Sequence, residues 1–114
     1  MSGSRFKLVL TEEADSFIKR LPRAAARKID SNIKRIADGE QNSELFKKLK
    51  GTEIWEFRTL FNKVKFRLFA FWDTEEETLV IATHGIIKKT QKPPAKEIAK
   101  AERIRQEYFK LKEE

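Results

Sequence analysis

Ile54-Trp55-Glu56-Phe57-Arg58-Thr59-Leu60-Phe61, Asn62-Lys63, Val64-Lys65-Phe66-Arg67-Leu68-Phe69-Ala70-Phe71-Trp72 is the stretch that decides the fold. Both flanking runs are crowded with aromatic and β-branched residues, which fit a pleated, half-buried surface better than a helix. The two-residue break Asn62-Lys63 predicts a tight antiparallel hairpin between them. Alternation places Ile54, Glu56, Arg58 and Leu60 on one face of the first run, and Lys65, Arg67, Phe69 and Phe71 on one face of the second. An acidic turn from Asp73 to Glu77 follows, and Leu79 to His84 reads as a third strand, so this half of the chain is an antiparallel meander.

Upstream the period changes. Arg5 to Leu10 is a short strand, and Thr11 is a helix N-cap with Glu12 and Glu13 in the positive first turn. Ala14, Phe17, Ile18 and Leu21 recur at helical spacing until Pro22, which ends one helix and lets the next begin. The second helix runs from about Arg23 to Asp38, with a stripe of Ala26, Ile29, Ile33, Ile36 and Ala37 and Gly39 as its stop signal. The two make a helical hairpin. Glu44 to Gly51 is short, basic and partly apolar. Downstream, Lys88-Lys89-Thr90-Gln91-Lys92 leads through Pro93-Pro94 into a last helix, Ala95 to Lys112, striped with Ile98, Ala101, Ile104, Tyr108 and Leu111. The predicted order is β-α-α-β-β-β-α: an α+β fold with an antiparallel sheet of about four strands and helices largely on one face.

At 114 residues the chain is sized for one domain, residues 1–114, with Met1 to Ser4 a small polar terminus outside the argument. The absence of cysteine excludes a disulfide scaffold, a thiol nucleophile, a zinc ribbon and an iron–sulfur site, and fits a reducing compartment. Without a membrane-length apolar run or a signal-peptide pattern, the expectation is a cytoplasmic chain with no membrane partner. Lys and Arg number 25 against 18 Asp and Glu, a net charge of +7, which attracts polyanions.

The sequence offers no nucleotide-binding glycine loop, metal-ligand cluster or Ser/His/Asp set, so no cofactor or metal is expected. What remains is a series of cations on and beside the strands: Arg58 and Arg67 inside adjacent strands, His84 at a strand end, Lys88, Lys89 and Lys92 after it, and Lys47, Lys48 and Lys50 before the hairpin. Each has an ordinary alternative. Arg58 can pair with Glu56 on a solvated face, Arg67 can extend over apolar surface, His84 can be a hydrogen-bonded rim residue, and the lysines can be solvated loops. The aromatics suit a small core better than base stacking.

Three motifs carry a resemblance. Leu49-Lys50-Gly51 with Ile54-Trp55-Glu56-Phe57-Arg58, then Phe66-Arg67-Leu68-Phe69-Ala70-Phe71, then His84-Gly85-Ile86-Ile87-Lys88-Lys89-Thr90-Gln91-Lys92-Pro93-Pro94, look like the HigB-like, phage-derived subgroup of the RelE/ParE toxins. The likeness spans roughly residues 5 to 110, including Glu97 to Glu102 of the last helix. It implies a small curved sheet with a helical hairpin and the toxin of a type II toxin–antitoxin pair. Such a toxin inhibits translation as a ribosome-dependent mRNA endoribonuclease, opposed by a protein antitoxin of helix-turn-helix type. The implied chemistry is metal-independent attack of a 2′-OH on the adjacent phosphate. Arg67 and Arg58 would stabilise the phosphate charge, His84 or Lys89 would move protons, and Lys47, Lys48, Lys50, Lys88 and Lys92 would hold RNA. Two other readings stay open: a ParE-like gyrase inhibitor without nuclease chemistry, and a non-catalytic RNA-binding domain. The chain departs from some relatives in having one histidine and in placing its only tyrosine, Tyr108, on a packing stripe.

Overall fold

The structure, a computed structural model, describes residues 5–76, 78–89 and 94–114. The elements in chain order are β1 (Lys7–Leu10), α1 (Glu12–Lys19), α2 (Arg23–Ala37), β2 (Phe46–Lys48), β3 (Trp55–Phe61), β4 (Val64–Trp72), β5 (Leu79–Lys88) and α3 (Ala95–Lys112). The α+β class and the hairpin of helices agree with the sequence reading. The sheet departs from it in two ways. It has five strands in the order β1-β5-β4-β3-β2, because the basic segment Phe46–Lys48 pairs with β3. It is also mixed, because β1 runs parallel to β5 while the other pairs are antiparallel.

The β3–β4 turn forms as its two-residue length requires. Asn62 and Lys63 both take positive φ, 54° and 66°, the twist that matches flanking strands in a two-residue hairpin. Thr11 caps α1 by accepting from the Ala14 backbone N–H, and its hydroxyl donates to the Thr83 carbonyl, tying the helix to β5. Gly85 gives α1 its close approach, since a Cβ there would lie 2.3 Å from the Phe17 ring.

Helices occupy both faces, which corrects the one-face expectation. Phe57, Phe66, Leu68, Ala70, Val80 and Ala82 pack with Ile18, Ala25, Ile29 and Ile36 of the hairpin. Ile54, Phe69, Phe71 and Ile81 pack with Ala101, Ile104, Tyr108 and Phe109 of α3. The central strand is therefore buried continuously from Phe66 to Phe71, as a strand covered on both sides must be. On α2 the buried stripe is Ala25, Ile29, Asn32 and Ile36, with Ala26 and Ile33 half-buried, and Leu111 of α3 is exposed. Asp73, fully buried at the end of β4, accepts from Tyr108 Oη and Lys112 Nζ, each at 2.6 Å, and from the backbone N–H groups of Glu75 and Glu76. This clasp fastens the C-terminal end of α3. No helix among the described residues is long and apolar enough to cross a membrane.

Candidate functional site

The hairpin register sets Arg58 directly opposite Arg67, and the β4–β5 register sets Lys65 opposite Lys88. Alternation puts all four on the sheet face that carries Phe69 and Phe71, the face α3 covers only in part. Like charges directly across a strand pair oppose pairing, so this arrangement needs an explanation. Part of it is Glu56, whose Oε1 lies 3.4 Å from Arg58 Nε and 3.6 Å from Arg67 Nε. One carboxylate faces four cations, which leaves the patch electropositive.

Arg67 is 5% exposed and Glu56 likewise 5%, whereas the Arg58 side chain is 30% exposed. Arg67 Nη1 donates to the Phe66 carbonyl at 3.1 Å, and Arg67 Nε has no hydrogen-bond partner among the described residues. Burial pulls the Arg67 pKa below its ordinary value, Glu56 opposes this, and Arg58 reinforces it. A guanidinium stays charged regardless, so the direction measures how incompletely its charge is compensated. Lys88 is pulled down in the same sense, first by burial, then by Arg67, with Glu56 opposing and Arg58 and Lys65 adding to the fall. Such an ammonium gives up its proton more readily than an ordinary lysine.

A cleft of about 290 Å³ opens here, walled by Lys47, Lys48, Lys50, Glu56, Arg58 and Lys88, with Pro94 and Ile98 of the α3 end as its apolar side. The structure thus gathers six of the cations singled out from sequence, Lys47, Lys48, Lys50, Arg58, Arg67 and Lys88, on or beside one cleft. Lys89 is exposed and lies past the end of β5, outside the cleft lining. Lys92 lies outside the described residues.

His84 is not brought to the cleft. It is 1% exposed, stacks on Phe69 at 5.0 Å between ring centroids, and lies under the first turn of α3. Its Nε2 meets Glu97 Oε1 at 3.0 Å and its Nδ1 meets Thr83 Oγ1 at 2.9 Å. A neutral ring protonated on Nε2 satisfies both contacts, donating to Glu97 and accepting from Thr83. Burial and the nearby Lys100 hold its pKa below the ordinary value against the pull of Glu97 and Glu13. The register shift at Phe69/Ala70 explains the placement, because the extra residue in β5 turns His84 onto the Phe69 face. A side chain sealed there positions α3 rather than meeting a ligand. Tyr108, left unassigned from sequence, serves the Asp73 clasp. The residue that sequence reasoning undervalued is Glu56, read as an ordinary partner of Arg58. Only the register shows that it also reaches Arg67. Among the described residues no group of three His, Asp, Glu or Cys side chains could hold a metal ion.

A five-stranded sheet with a helical hairpin on one face, a C-terminal helix on the other and a cationic cleft beside that helix defines a RelE-like fold. The structure of a double arginine-to-alanine mutant of the E. coli toxin RelE in the free state is similar, with a TM-score of 0.58 over 87% of this chain and 94% of that chain at 15% identity. The RelBE2 toxin–antitoxin complex from Mycobacterium tuberculosis contains a chain similar at a TM-score of 0.50, over 74% of this chain and 99% of that chain at 18% identity. At such identities the likeness establishes fold alone. No curated protein sequence matches. The family model described as "Phage derived protein Gp49-like" matches residues 16–106, and the chain belongs to that family.

Proposed function

We propose that this chain is the cytoplasmic toxin of a type II toxin–antitoxin pair, of the HigB-like kind, and that it cleaves mRNA on the ribosome. The observation that carries this reading is Arg67: a buried guanidinium set opposite Arg58 on the neighbouring strand, whose Nε makes no hydrogen bond among the described residues and is compensated only by the Glu56 carboxylate at 3.6 Å. Buried donors are almost always hydrogen-bonded, and a cationic donor without a hydrogen bond beside an electropositive cleft suits a phosphate. The two similar structures, one of a RelE toxin and one of a toxin with its antitoxin, support the same reading.

In the proposed reaction the ribose 2′-oxygen forms a bond to the adjacent phosphorus and the P–O5′ bond breaks, leaving a cyclic phosphate and a 5′-OH. Glu56, the carboxylate among the described cleft residues, receives the 2′-OH proton. Arg67 and Arg58 stabilise the charge on the phosphorane. Lys88, with its lowered pKa, gives a proton to the departing 5′ oxygen. Lys47, Lys48 and Lys50 hold the RNA backbone, with Lys89 and, further along the sequence, Lys92 as additional contacts. His84, first weighed as a base or acid, acts in this reading by seating α3. The partner antitoxin is a helix-turn-helix protein.

Primer extension on a reporter mRNA in a purified translation system, with and without ribosomes, tests the proposal. Ribosome-dependent cuts that vanish in Arg67→Ala are expected. Cuts unchanged in that variant would move the site elsewhere. Growth arrest without cuts would replace the nuclease reading with gyrase inhibition, measurable as loss of supercoiling.

A further inference from the structure

One lysine of the cleft is set apart by its company. Lys88 is half-buried near the end of β5, and cations face it from the two neighbouring strands. Lys65 is directly opposite on β4, Arg67 lies two residues along that strand on the same face, and Arg58 stands opposite Arg67 on β3. The carboxylate of this group, Glu56, is shared by the two arginines, with Oε1 at 3.4 Å from Arg58 Nε and 3.6 Å from Arg67 Nε. Lys88 itself makes no ion pair or hydrogen bond among the described residues. Lysines elsewhere do: Lys19 meets Asp15 at 2.8 Å, Lys34 meets Asp38 at 2.9 Å and Lys112 meets Asp73 at 2.6 Å.

Burial and like charge both disfavour the ammonium form, which leaves part of Lys88 as the free amine. The direction of its pKa, below the ordinary value, agrees. A neutral amine is a nucleophile. The cleft adds two features beside it. Arg58 with Lys47, Lys48 and Lys50 lines it with positive charge that gathers a small anion, and Pro94 with Ile98 gives it an apolar wall. A reagent matching both carries a phosphate at one end and a short apolar electrophile at the other. An acyl phosphate is such a molecule.

We infer that Lys88 is an acyl-acceptor site, modified by small acyl phosphates that bind in the cationic cleft. The amine nitrogen attacks the carbonyl carbon, and an N–C bond forms. The bond from that carbon to the oxygen carrying phosphorus breaks, its electron pair leaves with inorganic phosphate, and the amine proton goes to that phosphate. The surrounding cations take up charge on the departing group. The product is a neutral amide, so the cleft loses one cation. The acylation rests on the cleft alone. Its consequence, an enzyme without its proton donor, rests on the RNA-cleaving reading.

The test incubates the full chain with acetyl phosphate at neutral pH and follows each lysine by peptide mass spectrometry. Lys88 is expected to acetylate about tenfold faster than Lys19 and Lys34, whose ammonium groups are held by carboxylates. Its rate is expected to level off as acetyl phosphate is raised and to fall when inorganic phosphate is added, while Lys19 and Lys34 respond to neither. With p-nitrophenyl acetate, which carries no phosphate, the preference for Lys88 is expected to shrink. Arg58→Gln, at a side chain 30% exposed, is expected to remove the levelling-off, with its melting temperature read beside wild type to show that it folds. Acetylation of Lys88 no faster than that of Lys19 and Lys34 overturns the inference. So does a wild-type rate that neither levels off nor responds to phosphate, whatever Arg58→Gln does. Labelling is read without RNA, so the two proposals fail separately. Selective labelling with no cleavage under any condition keeps the acceptor site and rejects the nuclease. Cuts that persist once Lys88 is fully acetylated keep the site and reject Lys88 as proton donor.

Discussion

Arg67 carries its charge into a site where water contributes little, and its neighbours compensate it only in part. Arg67→Lys keeps the charge but loses the planar fork, so it is expected to lower cleavage roughly 10²-fold, with Arg67→Ala lower still, measured as single-turnover rates. Glu56→Gln is expected to lower the rate by about 10²–10⁴. With Lys88 as the proton donor, the rate falls as pH rises through its depressed pKa, and Lys88→Arg shifts that limb upward. His84 gives an independent check through stability. Its folded pKa lies below the unfolded value of about 6.5, so the unfolded chain binds the extra proton first. The stabilisation is complete above that pH and is lost as pH falls through the folded value. Thermal scans from pH 7.5 to pH 5 should show this fall, reduced in His84→Gln. The two arginines were legible in the sequence because a strand interior is a poor place for a charge. The seat of His84 was not, because strand alternation cannot reveal an extra residue in β5.

The β3–β4 turn places Lys63 at φ 66°, where a side chain is strained. Lys63→Gly is expected to raise stability by up to about 1 kcal/mol in denaturant unfolding. Gly85→Ala works in the opposite sense. Its methyl would enter the space of the Phe17 ring, and a loss of about 1–3 kcal/mol is expected as α1 is pushed off β5. The helices were readable nearly to their ends, since Thr11, Pro22 and Gly39 are local signals for local structure. The parallel β1–β5 pairing was not, because periodicity tells which face a residue takes and not which strand lies alongside. Coverage of both faces was written in the unbroken apolar run Leu68 to Trp72, a pattern masked by Lys65 and Arg67 just before it. Asn32 was missed because the α2 stripe was read one position too far round, through Ala26 instead of Ala25.

Across the whole molecule, α3 is held at both ends by hydrogen bonds to a carboxylate, through His84 and Glu97 at the start and Asp73 with Tyr108 and Lys112 at the finish. The bonds to Asp73 keep its carboxyl below the usual carboxylate range despite its burial, and burial together with the bond to Asp73 pushes the Tyr108 hydroxyl up to about 12. A carboxylate with a depressed folded pKa contributes stability that persists above its ordinary value and disappears as pH falls through the folded one. Tyr108→Phe is expected to cost about 1–2 kcal/mol and to speed proteolytic release of α3, read by limited trypsin digestion. The sheet itself closes late. Lys7–Leu10 finds its neighbour only when Leu79–Lys88 is available, and the cleft needs cations from β2, β3 and β5 together. At about 5–20 residues added per second, a nascent chain spends several seconds with its first strand unpaired and its arginines unassembled. The protein therefore gains its site only after β5 has left the exit tunnel. A chain proposed to cut messages in translation is therefore inert until that point.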